Sequence, residues 1–188
     1  MPSVDPQPEP QQPDSSSSEL ATVIEFGWRT HSAQEAWTAK VDTKASIVLA
    51  LDGVVLAAII GGHNEGGVLD QLYGWRNVLQ GAAAVLVVLA LIVAGLVVRP
   101  ALGSSREHKR DFRDNLIYFG HLRHWHGQTG ELADRLRAGS SGDQIEQLAA
   151  QLINMARRNW WKHQLLQVAL YVSGAAAVCL TLAVLWPY

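Results

Sequence analysis

Apolar residues are concentrated in three blocks along the chain, and most charged residues lie between them. Residues 78–98 contain no charge and are followed by Arg99 and Pro100, while residues 164–186 are also uncharged and follow Lys162 closely. Each of these two blocks is long enough to cross about 30 Å of hydrocarbon at a helical rise of about 1.5 Å per residue. The pattern therefore predicts two membrane-spanning helices.

The remaining apolar block, residues 45–61, is shorter and carries Asp52 in its interior. Its length alone suits a buried or re-entrant helix as well as a span. A short glycine-punctuated turn, residues 62–76, follows it and leads directly into a complete span, residues 77–98. We therefore expect the short block to cross as well, which gives an all-α membrane protein with three spans, the third at residues 164–186.

The segment before the first span divides into a leader and a helix. Five prolines within residues 1–18 indicate a disordered leader. Residues 19–44 contain no proline and one glycine, so we expect a cytosolic helix that continues into the first span. Trp28 and Trp37 on this helix are interpreted either as packing residues or as interfacial anchors.

Residues 99–163, between the second and third spans, form a predicted cytosolic helical segment. Apolar residues at spacings of three and four predict a helix from Ser105 to about His126. A short helix over residues 131–138 and a "GSSG" loop follow, and then Asp143 marks the start of a helix that continues into the third span. Because two spans continue cytosolic helices, we expect movement of the cytosolic part to be transmitted to the membrane.

The distribution of basic residues sets the expected orientation, because lysine and arginine accumulate on the cytoplasmic side. Residues 99–163 hold eleven of the fifteen lysines and arginines, whereas residues 62–75 hold none. We therefore predict a multi-pass protein of the inner or plasma membrane with a cytoplasmic N-terminus and an extracytoplasmic C-terminus. The first twenty residues have no apolar core, so we expect no signal peptide. The single cysteine, Cys179, excludes an intramolecular disulfide.

Asp52 is the first candidate functional residue, because an ionised carboxylate inside the hydrocarbon costs a few kcal/mol. It lies eight residues beyond Lys44, or about 12 Å along the helix. Gln167 and Tyr171 lie at a similar depth in the third span, and we predict them as its hydrogen-bonding partners. Two interpretations remain open: a neutral acid that holds helices together, and a gate or pore-lining group.

A basic and aromatic cluster at the start of the 99–163 segment is the second candidate site. Arginine binds phosphate through charge-assisted hydrogen bonds, and aromatic rings stack on bases. The candidate ligand-binding residues are Arg106, Lys109, Arg110, Arg113, Tyr118, His121 and Arg123. A basic surface attracted to anionic lipid explains the same charges equally well.

The histidines of "HLRHWH" raise the possibility of a metal site, since His side chains three residues apart can share one helix face. No acidic residue lies within "YFGHLRHWHG", and the His-Glu-x-x-His spacing is missing. The chain also lacks a phosphate-cradling glycine loop, a nucleophile elbow and a carboxylate dyad. We therefore expect no metal site, no cofactor and no enzymatic activity.

Three stretches of the sequence resemble one family. They are "WTAKVDTKASIVLALDG" at residues 37–53, "DNLIYFGHL" at residues 114–122 and "IEQLAAQLINMARRNWWK" at residues 145–162. Together they resemble the Pycsar transmembrane effectors of bacterial anti-phage defence, over roughly residues 28–186.

The resemblance implies a two-component abortive-infection system. A neighbouring pyrimidine cyclase makes cyclic CMP or cyclic UMP, and the membrane effector binds this messenger, forms homo-oligomers and impairs the inner membrane. The implied partners are thus the messenger and the lipid bilayer, with no nucleic acid. Motif positions that match the family are Asp42, Lys44, Tyr118 and His121.

We expect Asp42 and Lys44 to couple the cytosolic helices to the first span, with Tyr118 and His121 as counterparts on a neighbouring helix. Asp52 would then be the intramembrane polar group whose partners change on activation.

Two interpretations from other classes remain. A small structural or holin-like membrane protein would act without any ligand, and its basic segment would bind lipid only. A membrane-embedded metallohydrolase would use the histidines to hold a metal.

Overall fold

Six α-helices and one 3₁₀-helix make up most of the computed structural model, which describes residues 15–63, 67, 69, 73–100 and 105–185. In chain order the helices are α1 (Ser15–Gly62), α2 (Trp75–Val98), α3 (Ser105–Asp111), α4 (Phe119–Leu122), the 3₁₀-helix Arg123–Trp125, α5 (Thr129–Ala138) and α6 (Ser141–Leu185). Most of the predicted leader and much of the turn between the first two spans lie outside the described residues.

Three of these helices, α1, α2 and α6, are long and apolar enough to cross a membrane. The described part of the chain contains no β-strand. The prediction of an all-α protein with three membrane-spanning helices is therefore confirmed. Helices α1 and α6 have 48 and 45 residues, or roughly 70 Å each at 1.5 Å per residue, about twice the thickness of the hydrocarbon layer.

The predicted single helix from Ser105 to about His126 is wrong, because the chain leaves the helical path between Asp111 and Phe119. Asn115 explains part of this break. Its side-chain Oδ1 accepts hydrogen bonds from the backbone N–H groups of Ile117 and Tyr118, at 3.2 and 3.1 Å. A side chain that satisfies these backbone donors competes directly with the helical hydrogen bonds, and asparagine is well suited to do so.

The start of α6 is fixed by reciprocal hydrogen bonds between Ser140 and Asp143. The backbone N–H and the hydroxyl of Ser140 donate to Asp143 Oδ2 at 2.9 and 2.8 Å, and the Asp143 N–H is 3.1 Å from Ser140 Oγ. This is the arrangement of a capping box, which satisfies backbone groups that the first helical turn leaves without partners. The expected "GSSG" loop is accordingly shorter, and Ser141 and Gly142 already belong to α6.

The chain divides into two compact units, and α1 and α6 supply residues to both. One unit, here called the sensor unit, comprises residues 1–32 and 103–152. The other, the membrane unit, comprises residues 33–102 and 153–188 and contains the three apolar stretches.

The buried positions of the membrane unit recur with a seven-residue period. On α2 the buried residues are spaced by three and four, at Gln80, Ala83, Val87, Ala90, Ala94 and Val97. On α1 and α6 the buried residues fit the same repeat: Val41, Ala45, Val48, Asp52 and Ile59 on α1, and Asn159, Lys162, Leu166, Ala169, Ala176 and Ala183 on α6. This period is typical of helices that pack as in a coiled coil. The many alanines allow the close approach that membrane helices need.

The core of the membrane unit is built by all three of its long helices. Near the charged start of the spans, Val41 and Ala45 pack with Val97 of α2 and Leu166 of α6. Further along, Ile59 packs with Val87 and Ala176. From the first cluster to the second, the residue numbers increase on α1 and α6 and decrease on α2. Helices α1 and α6 therefore run parallel, and α2 runs antiparallel to both.

The sensor unit contains a close approach between α1 and α6. A Cβ atom added to the buried Gly27 would lie 2.3 Å from Leu148 Cδ2, a distance that real Cβ contacts do not reach. Leu148 itself is buried. Only glycine therefore fits at this point of α1 without displacing α6 side chains.

Candidate functional site

A line of polar side chains joins α1 to α6 within the membrane unit, and we call it the polar seam. It begins at Thr38, whose hydroxyl contacts Asn159 Oδ1, while Asn159 Nδ2 donates to the backbone oxygen of Gln34 at 3.1 Å. It continues with the pair Asp42 and Lys162 and ends with the pair Asp52 and Ser173. The second of these pairs lies within the apolar parts of α1 and α6. Within the seam, Asp52, Asn159 and Lys162 occupy positions of the buried repeat, where apolar residues would otherwise form the helix contact.

The central pair of the polar seam is an ion pair. Lys162 Nζ lies 2.6 Å from Asp42 Oδ1, and the two side chains are 11% and 34% exposed. The corresponding prediction for Asp42 is corrected: its partner is Lys162 of α6 rather than Tyr118 or His121. Lys44, predicted to act with Asp42, is exposed two residues further along α1.

The intramembrane pair is a hydrogen bond between Ser173 Oγ and Asp52 Oδ2, at 2.8 Å. Ser173 Oγ is also 3.0 Å from the backbone oxygen of Ala169. The prediction that Gln167 and Tyr171 pair with Asp52 is therefore wrong. Both lie on exposed positions of α6, and Tyr171 is 76% exposed. A depth count alone places residues at the correct level but not on the correct face of a helix.

The sensor unit contains a cavity of about 680 Å³. Trp28 of α1, the turn of residues 114–117, the end of α5 with Gly139, and the first turns of α6 form its walls. The mixture of an aromatic ring, apolar side chains and a few polar groups is typical of small-molecule sites, which commonly have volumes of 300–1,000 Å³.

Two amide side chains of the cavity are held in fixed orientations by the backbone. Gln147 Oε1 accepts a hydrogen bond from the N–H of Leu116 at 3.0 Å, and Asn115 Oδ1 accepts the two backbone bonds described above. Because the oxygens already accept backbone hydrogen bonds, the NH₂ groups of these side chains are the groups that can bind a ligand, and they do so as donors.

The charges that line the cavity come from one arginine and three acids. Arg135 is the arginine, and the acids are Asp114, Asp143 and Glu146. Backbone and side-chain hydrogen bonds from Ser140 lower the pKa of Asp143 from its ordinary value, with a smaller contribution from Arg135. Asp143 is thus a charged helix cap as well as part of the cavity wall.

The predicted ligand-binding residues lie outside the walls of this cavity. Arg110 Nε is 2.7 Å from Asp111 Oδ1, and its hydrogen bond lowers the pKa of that carboxyl. Arg113 Nη1 is 2.6 Å from Glu131 Oε1, and its guanidinium lies over the rings of Phe112 and Trp125, 5.5 and 5.8 Å from their centres. The Arg113 ion pair therefore joins α5 to the turn after α3, whereas the Arg110 ion pair joins two neighbouring residues.

The aromatic and histidine candidates form a second group of internal contacts. The rings of Tyr118 and His121 are 5.6 Å apart, and Arg123 Nε is 3.3 Å from His124 Nε2. Arg106 and Lys109 lie on exposed positions of α3. Among the described residues, no three His, Cys, Asp or Glu side chains are arranged to hold a metal ion.

The sequence does not predict the residues that line the cavity, because their spacing along the chain follows no motif. The sequence predicts Trp28 as a packing residue or an interfacial anchor, and residues 114–117 of the same cavity lie 86 to 89 residues further along the chain. One local signal was available: Asn115 lies inside the stretch "DNLIYFGHL" that resembles the family.

Comparison with known proteins identifies the family. The model of the Pycsar effector protein domain matches residues 26–188, which include all three spans and the whole of the cavity wall. No curated protein and no solved structure matches the chain. A match over most of the chain shows the family directly: this protein is a member of the Pycsar effectors.

Proposed function

We propose that this protein is the membrane effector of an anti-phage system in which a cyclic pyrimidine nucleotide, made by a partner cyclase, triggers damage to the inner membrane. Family membership supports a role in antiviral defence. The three long apolar helices support action at the membrane. The observation that carries the proposal is that this family member has a ligand-sized cavity in one unit and three spans in the other.

The distribution of charge supports a cytoplasmic position for the sensor unit, where a cyclase would release its product. Residues 99–163 hold eleven of the fifteen lysines and arginines, and this bias favours the cytoplasmic side. The first and third spans would then leave the cytoplasm, and the second would return to it. Trp37, Trp160 and Trp161 are exposed just before the apolar parts of α1 and α6, as expected of interfacial anchors.

The polar seam is the element that we propose to respond to ligand. Among the described residues, four of the five buried polar side chains lie on α1 and α6, namely Gln34, Asp52, Asn159 and Lys162. Polar pairs in such positions contribute little net stability compared with apolar packing, and they specify one register of the helices. A small shift of α6 against α1 would separate these pairs and favour new contacts, including contacts with further copies of the chain.

Reconstitution into liposomes tests this proposal. We expect release of a trapped dye when cyclic CMP or cyclic UMP is added on the side of the sensor unit, and none with cyclic AMP or cyclic GMP. Release that is equally fast without nucleotide would contradict the proposal and favour the ligand-independent, holin-like interpretation. The control is the rate of dye release from liposomes that contain no protein, measured without nucleotide.

A further inference from the structure

We propose that the cavity of the sensor unit is the nucleotide pocket, that Trp28 and Arg135 hold the base and the phosphate, and that the pocket prefers cytosine to uracil. This inference rests on the proposed function and assigns its ligand site. A volume of about 680 Å³ exceeds that of one cyclic mononucleotide and leaves room for water.

Trp28 supplies the stacking surface. Its side chain lines the cavity, and the residue is 44% exposed, so much of the indole is accessible to a ligand. The ring is held from one direction by an edge-to-face contact with His31, at 5.4 Å between ring centres. Bases stack on such aromatic rings whatever their identity, so Trp28 provides affinity rather than discrimination.

Arg135 is the group for the phosphate. In the part of the chain that the structure describes, Arg135 forms no ion pair with a carboxylate, whereas Arg113 and Arg137 pair with Glu131 and Asp134. A guanidinium can bind two phosphate oxygens at once. Among the described residues that line the cavity, Arg135 carries the positive charge that can hold the single negative charge of a cyclic nucleotide.

The base is read by amides and carboxylates together. Asn115 and Gln147 present NH₂ donors, since their oxygens accept backbone hydrogen bonds. Asp114 and Glu146 line the same cavity, and their carboxylates accept no hydrogen bond from the residues that the structure describes.

This combination of donors and acceptors favours cytosine. Its O2 and N3 accept hydrogen bonds from amide donors, and its exocyclic amino group donates to a carboxylate. That amino group carries two N–H donors, one for each of Asp114 and Glu146. Uracil has a single donor, N3–H, and a carbonyl oxygen in place of the amino group, so one carboxylate would face an acceptor, and two acceptors facing each other repel. Two carboxylates at the base therefore discriminate against uracil by an unfavourable contact as well as by a lost bond.

Nucleotide binding to the full-length protein in detergent, measured by calorimetry, tests the pocket. We expect Trp28→Ala to weaken binding of cyclic CMP about 5- to 150-fold, the range found for loss of one stacking contact. Arg135→Gln should weaken it at least about tenfold. Arg137→Gln is the matched control, because it removes the same charge from the same helix, and it should change affinity less than about twofold.

A double variant tests the base preference. The double substitution Asp114→Asn and Glu146→Gln replaces acceptors with groups that can also donate to a uracil carbonyl. We expect the wild type to prefer cyclic CMP over cyclic UMP by at least about tenfold, and the double variant to lose most of that preference. Wild-type binding of cyclic UMP as tight as that of cyclic CMP would overturn the proposed base reading.

The outcomes separate this inference from the proposed function. If the wild type binds a cyclic pyrimidine nucleotide but Trp28→Ala and Arg135→Gln bind it unchanged, the pocket is wrong and the function stands. Loss of binding in the Arg110→Gln and Arg113→Gln double variant alone would then place the site on the basic cluster. If the wild type binds no cyclic nucleotide, both proposals fail. Unchanged melting temperatures show that the variants are folded.

Discussion

Lys162 of α6 reaches Asp42 of α1 across 120 residues of sequence, with 2.6 Å between Nζ and Oδ1. It joins α1 to α6 within the membrane unit. Because Lys162 is largely buried, we expect the pair to contribute to the register of two helices that both continue into the apolar stretches.

Breaking this ion pair should destabilise the membrane unit. Lys162→Ala leaves a half-buried carboxylate without its partner, so we expect a loss of about 2 kcal/mol, below the cost for a fully buried pair. Lys44→Ala removes an exposed lysine from α1 and should cost less than about 0.5 kcal/mol. Thermal denaturation in detergent measures both, and equal effects would show that the pair contributes nothing specific.

The exchange of charges tests whether the register depends on the pair itself. Asp42→Lys combined with Lys162→Asp should recover a substantial part of the stability that either single variant loses. Additive losses in the double variant would argue against a direct coupling.

Asp52 is expected to act through hydrogen bonding rather than through charge. Asparagine keeps the size of the side chain and can bond to Ser173, so Asp52→Asn should insert, bind nucleotide and depolarise the membrane as the wild type does. Asp52→Leu should cost about 1 kcal/mol, in the range of polar contacts between membrane helices. Membrane potential measured with a dye after nucleotide addition distinguishes the roles: clustering without depolarisation in Asp52→Asn would mean that the charge is required.

Gly27 is expected to be intolerant of even one extra carbon. Gly27→Ala places a Cβ against Leu148 and should cost about 1–3 kcal/mol. Leu148→Ala in the same chain should relieve the clash, so the double variant should be less destabilised than the sum of the singles. Gly53→Ala is the control on α1, because a Cβ there meets nothing within 4 Å. It should be neutral or stabilising by less than about 1 kcal/mol.

The start of α6 should loosen at low pH. The pKa of Asp143 is held below its ordinary value of 3.8, mainly by the hydrogen bond from the Ser140 N–H. A depressed pKa means that the stabilisation is present above the ordinary value and is lost as pH falls through the lower value of the folded protein. Hydrogen exchange at Ser140 and Asp143 should therefore accelerate below pH 3.8 relative to the intrinsic rate. Asp143→Asn should show no such pH dependence.

The orientation of the chain can be tested with reporters. A reporter that works only in the cytoplasm should be active when it is fused at residue 140, because lysine and arginine favour the cytoplasmic side. A reporter that works only outside the cytoplasm should be active when it is fused at residue 65. A periplasmic signal from residue 140 would overturn the proposed arrangement of the sensor unit.

The three spans and the helical class follow from the sequence alone. Whether a segment crosses a membrane depends on a local property, an uninterrupted apolar run of sufficient length, and such runs are visible at residues 78–98 and 164–186. Three family-like stretches were likewise local, and they identified the family that the comparison then matched over residues 26–188.

Which polar groups meet depends on how the helices pack. Asp52 pairs with Ser173 and Asp42 with Lys162 because α1 and α6 pack in one particular rotation and register, which a count of residues along each helix does not fix. Spacing alone also favoured an unbroken helix through Asn115, where one side chain satisfies backbone donors and ends the helical path. The cavity that results is lined by Trp28, Asn115 and Arg135 from three separate parts of the chain, and the sequence around each residue does not show that they share one cavity.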